Sequence, residues 1–334
     1  MTSRSQQLIR LAQEFVSEVP FNVVYASVGG STGRGEADQY SDLDLVIYTD
    51  DISLTDAKNV MYKDEIIQLE IEHCSEFPKQ KNIIDNPWDY RFLQEICIIY
   101  DSDGEFKKIK NWAIQYFSSA KGTKRISEQV LGIVEERKNW ALHCMNQGNM
   151  YSATHAALGA WTEAAFLYLF LTQGSLSTND LIDLIPSIQK LERHFAAFKT
   201  ACPFTLNGQW SEIPAILKRF RSYLRKQGFS FEFGLSPIQD LLYEKKAARL
   251  LESKEYMSLL WQCYGEAFCL YAETSENDWF EDYFYELPES LQQDLRKIGF
   301  VPLPSHKIQT ICTLSDELIN LVYHEKNKKN ISLY

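Results

Sequence analysis

The sequence lacks the features that mark several specialised protein classes. It has no CxxC pair, and its seven cysteines are scattered and odd in number, which argues against a disulfide framework or a zinc site. The longest apolar stretch, at 156–171, is interrupted by Glu163 and is shorter than the roughly 18 residues of a membrane span. The N-terminal residues lack the apolar segment of a signal peptide. We therefore expect a cytoplasmic protein with reduced thiols and no membrane partner.

Positive charge is scarce in the first third of the chain. The 334 residues carry a net charge of −11, and residues 1–120 hold 11 Lys and Arg against 20 Asp and Glu. Residues 121–334 hold 23 against 25. Tight binding of a nucleic-acid polymer normally needs a basic surface, so this distribution argues against such a partner. Two explanations of the acidic excess stay open: a solvated surface, or carboxylates that need a cation.

Aromatic residues, in contrast, make up 13% of the chain, which argues against disorder. The length suffices for about two domains. Strand patterns and one helix, at 5–18, alternate over the first ~110 residues; the strands are expected at 21–28, 42–48, 65–73 and 96–100. After residue 122 the periodicity is helical, at 126–147, 151–172, 178–198, 213–227, 238–246 and 255–275. We predict an α+β fold, with a small mixed-sheet domain at 1–120 followed by an all-α helical domain at 121–334.

Two aspartates at the start of a predicted strand carry most of the chemical information. Asp42 and Asp44 are two residues apart, so their side chains share one face of the strand. Two neighbouring carboxylates repel each other unless a cation lies between them, and Mg²⁺ commonly binds one or two carboxylates. Upstream, a strand runs into Gly30 and Ser31, a turn whose main-chain N–H groups can bind phosphate. This combination is typical of phosphoryl or nucleotidyl transfer.

A third carboxylate is expected from a neighbouring strand. The segment at 68–72 offers Glu70 and Glu72 on one face, between apolar residues. An acid on the covered side of a sheet is costly without a cation or another partner. Either residue could complete a metal site.

Five segments in the same order resemble those of the nucleotidyltransferase superfamily, and most closely those of kanamycin nucleotidyltransferase-type antibiotic-modifying enzymes. They are GSTGR (30–34), YSDLDL (40–45), QLEIE (68–72), IYDSDG (99–104) and GIVEE (132–136). The resemblance covers roughly residues 5–145, and its first two segments are the most specific. It implies a polymerase β-like domain that transfers a nucleoside monophosphate from ATP, or another nucleoside triphosphate, to a hydroxyl group.

The resemblance also implies individual roles. The nucleotide triphosphate would be held by Gly30, Ser31 and Arg34. The Mg²⁺ ligands and catalytic carboxylates would be Asp42, Asp44 and Glu70, the last ahead of Glu72. The acceptor implied is a small-molecule hydroxyl, with an aminoglycoside-like antibiotic as the first expectation, and a homodimer is implied as well.

The general base does not follow from the resemblance alone. Counted without gaps from GIVEE, the expected glutamate position is Asn139, which cannot accept a proton. Glu135 and Glu136 lie about one helical turn earlier, and Glu136 is the candidate that we carry forward. Glu163 is another candidate, although it could instead pair with a buried cation. This departure keeps two alternatives open: a non-catalytic binding or regulatory protein, and a transferase that acts on a protein or an RNA.

Overall fold

The structure is a computed structural model of residues 1–334. It describes residues 1–178, 180–205, 208, 210–231, 233–275 and 279–331. No helix among these described residues is long and apolar enough to cross a membrane. The chain divides into two compact units, one formed by residues 1–126 and 224–249, and the other by 127–223 and 250–334.

The first unit is built around a sheet. Its five described strands are β1 (Tyr25–Val28), β2 (Leu43–Thr49), β3 (Asp56–Tyr62), β4 (Glu65–His73) and β5 (Cys97–Asp101). Its helices are α1 (Ser3–Glu18), α2 (Gly30–Arg34), α3 (Gln80–Asp85), α4 (Glu105–Ser118), the first turns of α5 (Ala120–Gln147) and most of α10 (Pro237–Glu252).

The sheet is mixed, in the order β3-β4-β2-β1-β5. Only β2 and β4 run parallel, and the other three pairings are antiparallel. A small mixed sheet followed by helices is the fold class that the sequence predicts, so this prediction is confirmed.

Strand β2 separates an apolar face from a polar one. Leu43, Leu45 and Ile47 are buried on the face that packs against Leu8 and Ala12 of α1. Because side chains alternate along a strand, Asp44 points to the opposite face. The apolar alternation therefore fixes which side of the sheet receives the acidic side chain.

The first unit includes a segment from much later in the chain. The buried Asn59 amide of β3 donates hydrogen bonds to the Phe233 carbonyl (3.0 Å), the Ser236 hydroxyl (3.0 Å) and the Gln239 side chain (3.1 Å). Lys246, on α10, adds an ion pair to Asp42. These bonds attach 224–249 to the sheet, whereas the expected division at residues 120 and 121 assigns this segment to the helical domain.

The second unit is helical. Besides most of α5, it contains α6 (Met150–Gln173), α7 (Leu181–Ser187), α8 (Glu192–Ala201), α9 (Ile213–Lys226), α11 (Tyr256–Thr274), α12 (Phe280–Glu286), α13 (Glu289–Lys297) and α14 (Ser305–Ile331). The largely apolar α6 is its central helix, and α14 packs along it. The helix expected at 178–198 is divided between α7, which contains Pro186, and α8; residue 179 lies outside the described residues.

Candidate active site

The turn after β1 brings the main chain against an acidic side chain. Gly29 donates its N–H to the carbonyl of Asp44 (2.9 Å), which ties the turn to β2. Gly30 has a φ of +58°, and a Cβ atom there would lie 1.9 Å from Oδ2 of Asp44. Only glycine fits both this backbone conformation and this close approach. Glycine at position 30 is therefore needed to place the turn beside the carboxylate.

Asp42 and Asp44 lie together at the start of β2, as the sequence predicts. Asp42 is buried, and its carbonyl accepts a hydrogen bond from the hydroxyl of Thr32 in α2 (3.2 Å). Burial, followed by the negative charge of Asp42, raises the pKa of Asp44 to about 7, while Lys246 and Arg34 oppose the shift. A raised carboxyl pKa is the expected consequence of two carboxylates that share insufficient positive charge.

A cation beside this pair comes from α10. Nζ of Lys246 lies 3.2 Å from Oδ2 of Asp42, and both side chains are largely buried. Sequence reasoning missed Lys246, because nothing in the local pattern of α10 distinguishes it from the adjacent Lys245. The contact spans 204 positions of the chain, so only the folded structure shows it.

Arg34 and Gly30, both predicted to hold phosphate, share one carboxylate. Arg34 donates from Nη1 to Oε2 of Glu95 (2.9 Å) and from Nε to Glu36 (2.8 Å). The main chain of Gly30 also hydrogen-bonds to Glu95. Burial raises the pKa of Glu95, against the lowering effect of these hydrogen bonds. Glu95, which sequence reasoning missed, shows that this pair of donors can bind an anion.

Ser31, the third residue predicted to hold phosphate, lies in a chain of hydroxyl groups. Its hydroxyl hydrogen-bonds to that of Ser41 (3.1 Å), which in turn donates to Asp38 (3.1 Å). The hydroxyl is half-buried on α2, next to Gly30.

Glu70 is displaced from the aspartate pair by the register of the parallel strands. Gln68 is the residue opposite Asp44, whereas Glu70 is opposite Val46 and is exposed. Burial and the charge of Glu70 raise the pKa of Glu72 further along the strand. Within the described part of the chain, no three His, Cys, Asp or Glu side chains form a group that could hold a metal. Glu70 as the third ligand therefore stays a prediction.

The candidates for the general base lie on α5 and α6, in the helical unit. Glu135 and Glu136 are exposed, as is Asn139. Oε1 of Glu163 lies 3.1 Å from Nη2 of Arg137, so this residue has the ion-pair partner considered as its alternative role. The role of Glu136 stays a prediction.

The donor set fits Mg²⁺. Asp42 and Asp44 offer two hard oxygen ligands at the start of one strand, and burial together with the charge of Asp42 raises the pKa of Asp44. Mg²⁺ is commonly bound by one or two carboxylates and completes its octahedron with water and substrate phosphate. Two protein carboxylates are therefore sufficient.

Comparison with known families agrees with this geometry. Residues 8–89 match the family model of the nucleotidyltransferase domain. The matched range contains the glycine turn, both aspartates and Glu70, and it ends before Glu95 and Lys246. Kanamycin-type specificity is a finer assignment than this match, and it stays a prediction.

Comparison with individual proteins adds little. A nucleotidyltransferase-like protein from Exiguobacterium sibiricum 255-15 shares 15% identity, with 89% of this chain and 88% of that chain covered, at a TM-score of 0.33. So low a TM-score carries no argument. No curated protein gives a significant match to the chain.

Proposed function

We propose that this protein is an Mg²⁺-dependent nucleotidyltransferase that transfers AMP from ATP to a hydroxyl group of a small molecule. The observation that carries the proposal is the placement of Asp44 against Gly30, with Asp42 beside it and Arg34 on the adjacent α2. A carboxylate pair suited to a metal and a turn suited to phosphate are adjacent within the residues that match the nucleotidyltransferase domain, which supports the proposal.

Each residue has a distinct task in this proposal. Asp42 and Asp44 would hold Mg²⁺, which when bound orients the triphosphate and offsets its charge. The main chain of Gly30 and the guanidinium of Arg34 would exchange Glu95 for phosphate oxygens, since a guanidinium fork matches either anion. Ser31 would add a hydroxyl donor.

The reaction then balances as an in-line displacement. The acceptor oxygen forms a bond to the α-phosphorus, the bond from the α-phosphorus to the bridging oxygen breaks, and pyrophosphate leaves with that electron pair. The acceptor's proton passes to a general base, for which Glu136 is the candidate. The charged donors act where negative charge develops on the phosphoryl oxygens.

The test is pyrophosphate release by the purified full chain with Mg²⁺ and each of the four common nucleoside triphosphates. An acceptor panel should include an aminoglycoside, a simple aromatic alcohol and a diol. ATP is expected to be the preferred donor. Absence of both nucleotide binding and pyrophosphate release, for every combination, would refute the proposal.

Charge-matched variants separate the metal site from general electrostatics. Asp42→Asn and Asp44→Asn should each lower turnover on the order of 100-fold or more, because each removes a metal ligand. Asp85→Asn makes the same charge change at an exposed position of α3 and should leave turnover unchanged. Equal effects of all three substitutions would contradict the assignment of the two aspartates.

A further inference from the structure

The helical unit contains a pocket that is lined by aromatic side chains and by Glu136. Its volume is about 580 Å³, within the range of small-molecule sites. It lies between α5, α6, α11 and the start of α12. Five of the eleven residues that line it carry rings, and we call it the aromatic pocket. The side chains that matter below are Glu136, Trp140, His155, Tyr271 and Phe280.

Trp140 presents an indole at the rim of the aromatic pocket. Its residue exposure is 45%, which is high for so large an apolar side chain. The indole stacks on that of Trp279, with parallel planes and 5.4 Å between ring centres, and on the His143 ring at 5.3 Å. A rigid, exposed group of stacked rings is a surface suited to binding another flat ring.

His155 forms part of the wall. The side chain is 8% exposed and its Nδ1 hydrogen-bonds to the Tyr264 hydroxyl. Its Nε2 is buried and has no partner within the described residues. The imidazole therefore contributes packing to the wall and offers no hydrogen-bonding atom to a ligand.

The charges at the pocket favour a single positive group. Arg137 is neutralised by Glu163 (3.1 Å), and its guanidinium lies over Gly159, where a Cβ atom would be 2.8 Å from Nη1. Glu136 is exposed and makes no ion pair among the described residues. The aromatic pocket therefore carries one negative charge beside aromatic rings, a combination that attracts an organic ammonium ion through Coulomb and cation–π forces.

We propose that the aromatic pocket binds a small aromatic amine. The ring of the ligand packs against Trp140, Tyr271 and Phe280, and its ammonium group lies near Glu136. The aromatic pocket includes Glu136, the candidate general base of the proposed transfer, but the present proposal does not depend on that role, because its test is binding alone.

The experiment is calorimetric titration of the full chain with two probes that share a ring and a hydroxyl group. Tyramine carries an ammonium group, whereas 4-hydroxyphenylacetate carries a carboxylate at the matching position. Tyramine should bind one molecule per chain, and 4-hydroxyphenylacetate should bind at least about tenfold more weakly, because its charge repels Glu136.

Two pairs of variants test the residues. Glu136→Gln should weaken tyramine binding about fivefold, whereas Glu135→Gln, at an exposed neighbour outside the pocket, should change it less than about twofold. Trp140→Leu should abolish detectable binding, and Trp140→Phe should retain most of it. Circular dichroism checks that each variant is folded.

Three results would each overturn the proposal: equal affinity for the two probes, equal weakening by Glu135→Gln and Glu136→Gln, or no binding of tyramine up to about 10 mM. Because no nucleotide is present, failure here is distinguishable from failure of the transferase assay.

Discussion

Replacing Gly30 by alanine should separate the stability of the fold from the competence of the site. The added Cβ would lie 1.9 Å from Oδ2 and 3.1 Å from Cγ of Asp44, well inside contact distance. The φ of +58° is also a conformation that alanine rarely adopts. The matched control is Gly29→Ala, because a Cβ atom there meets nothing within 4 Å and φ is −102°.

The positive φ and the clash with Asp44 have different consequences. The positive φ should lower the free energy of unfolding by about 1–2 kcal/mol. The clash involves the end of a side chain, so rotation of the Asp44 carboxylate relieves it without disturbing the sheet. That rotation moves a proposed metal ligand, and we expect metal-dependent nucleotide affinity to fall about 10–100-fold.

The assay combines urea unfolding with calorimetric titration of nucleotide in the presence of Mg²⁺. Gly30→Ala should unfold at a slightly lower urea concentration and bind poorly, while Gly29→Ala should bind as the unmodified chain does. If both variants bind nucleotide equally well, the close approach of Gly30 to Asp44 has no role in the site. If Gly30→Ala does not fold, the estimate that rotation of Asp44 relieves the clash is wrong.

Three further substitutions follow from the same geometry. Lys246→Met removes the cation beside Asp42 and should weaken nucleotide binding about fivefold or more. Lys245→Met is the control and should leave binding unchanged. Equal effects of the two substitutions would exclude a specific role for Lys246. Burial lowers the pKa of His155 from 6.5 to about 3. Below pH 6.5 the unfolded chain therefore binds a proton that the folded chain does not. This group should lower the free energy of unfolding by roughly 1.4 kcal/mol for each pH unit of acidification. The midpoint of urea unfolding, measured between pH 7 and pH 5, should depend less on pH in His155→Gln than in the unmodified chain. The same pH dependence in both would contradict this. Gly33→Ala should cost about 2 kcal/mol or more in chemical unfolding, since its Cβ would meet two main-chain carbonyl oxygens at 2.6 and 2.8 Å, whereas a loss under about 0.5 kcal/mol would show that the turn relaxes.

Local patterns in the sequence were sufficient for the centre of the candidate site. Gly30, Asp42 and Asp44 are close in sequence, and a turn followed by a strand leaves few ways to arrange them. The alternation of Leu43, Leu45 and Ile47 with polar residues also indicates correctly which face is buried. Such inferences succeed because their physical basis is local: backbone conformation and the two-residue period of a strand.

Strand β3 and the helices α2, α3 and α4 of the first unit were not predicted. The hairpin between β3 and β4 turns at Lys63 and Asp64, both with positive φ, and this pair lacks the glycine that usually marks such a turn. Helix α4 did carry a usable signal, since Phe106, Ile109 and Ala113 follow helical spacing and are buried.

The sequence by itself determined the α+β class, the glycine turn and the pair of aspartates, because these depend on neighbours along the chain. Only the tertiary structure decided which distant groups join them: Glu95 at Arg34, Lys246 at Asp42, and Gln68 rather than Glu70 opposite Asp44. The register of parallel strands and the docking of 224–249 on the sheet are set by packing and hydrogen bonds between remote segments. No local pattern records those contacts.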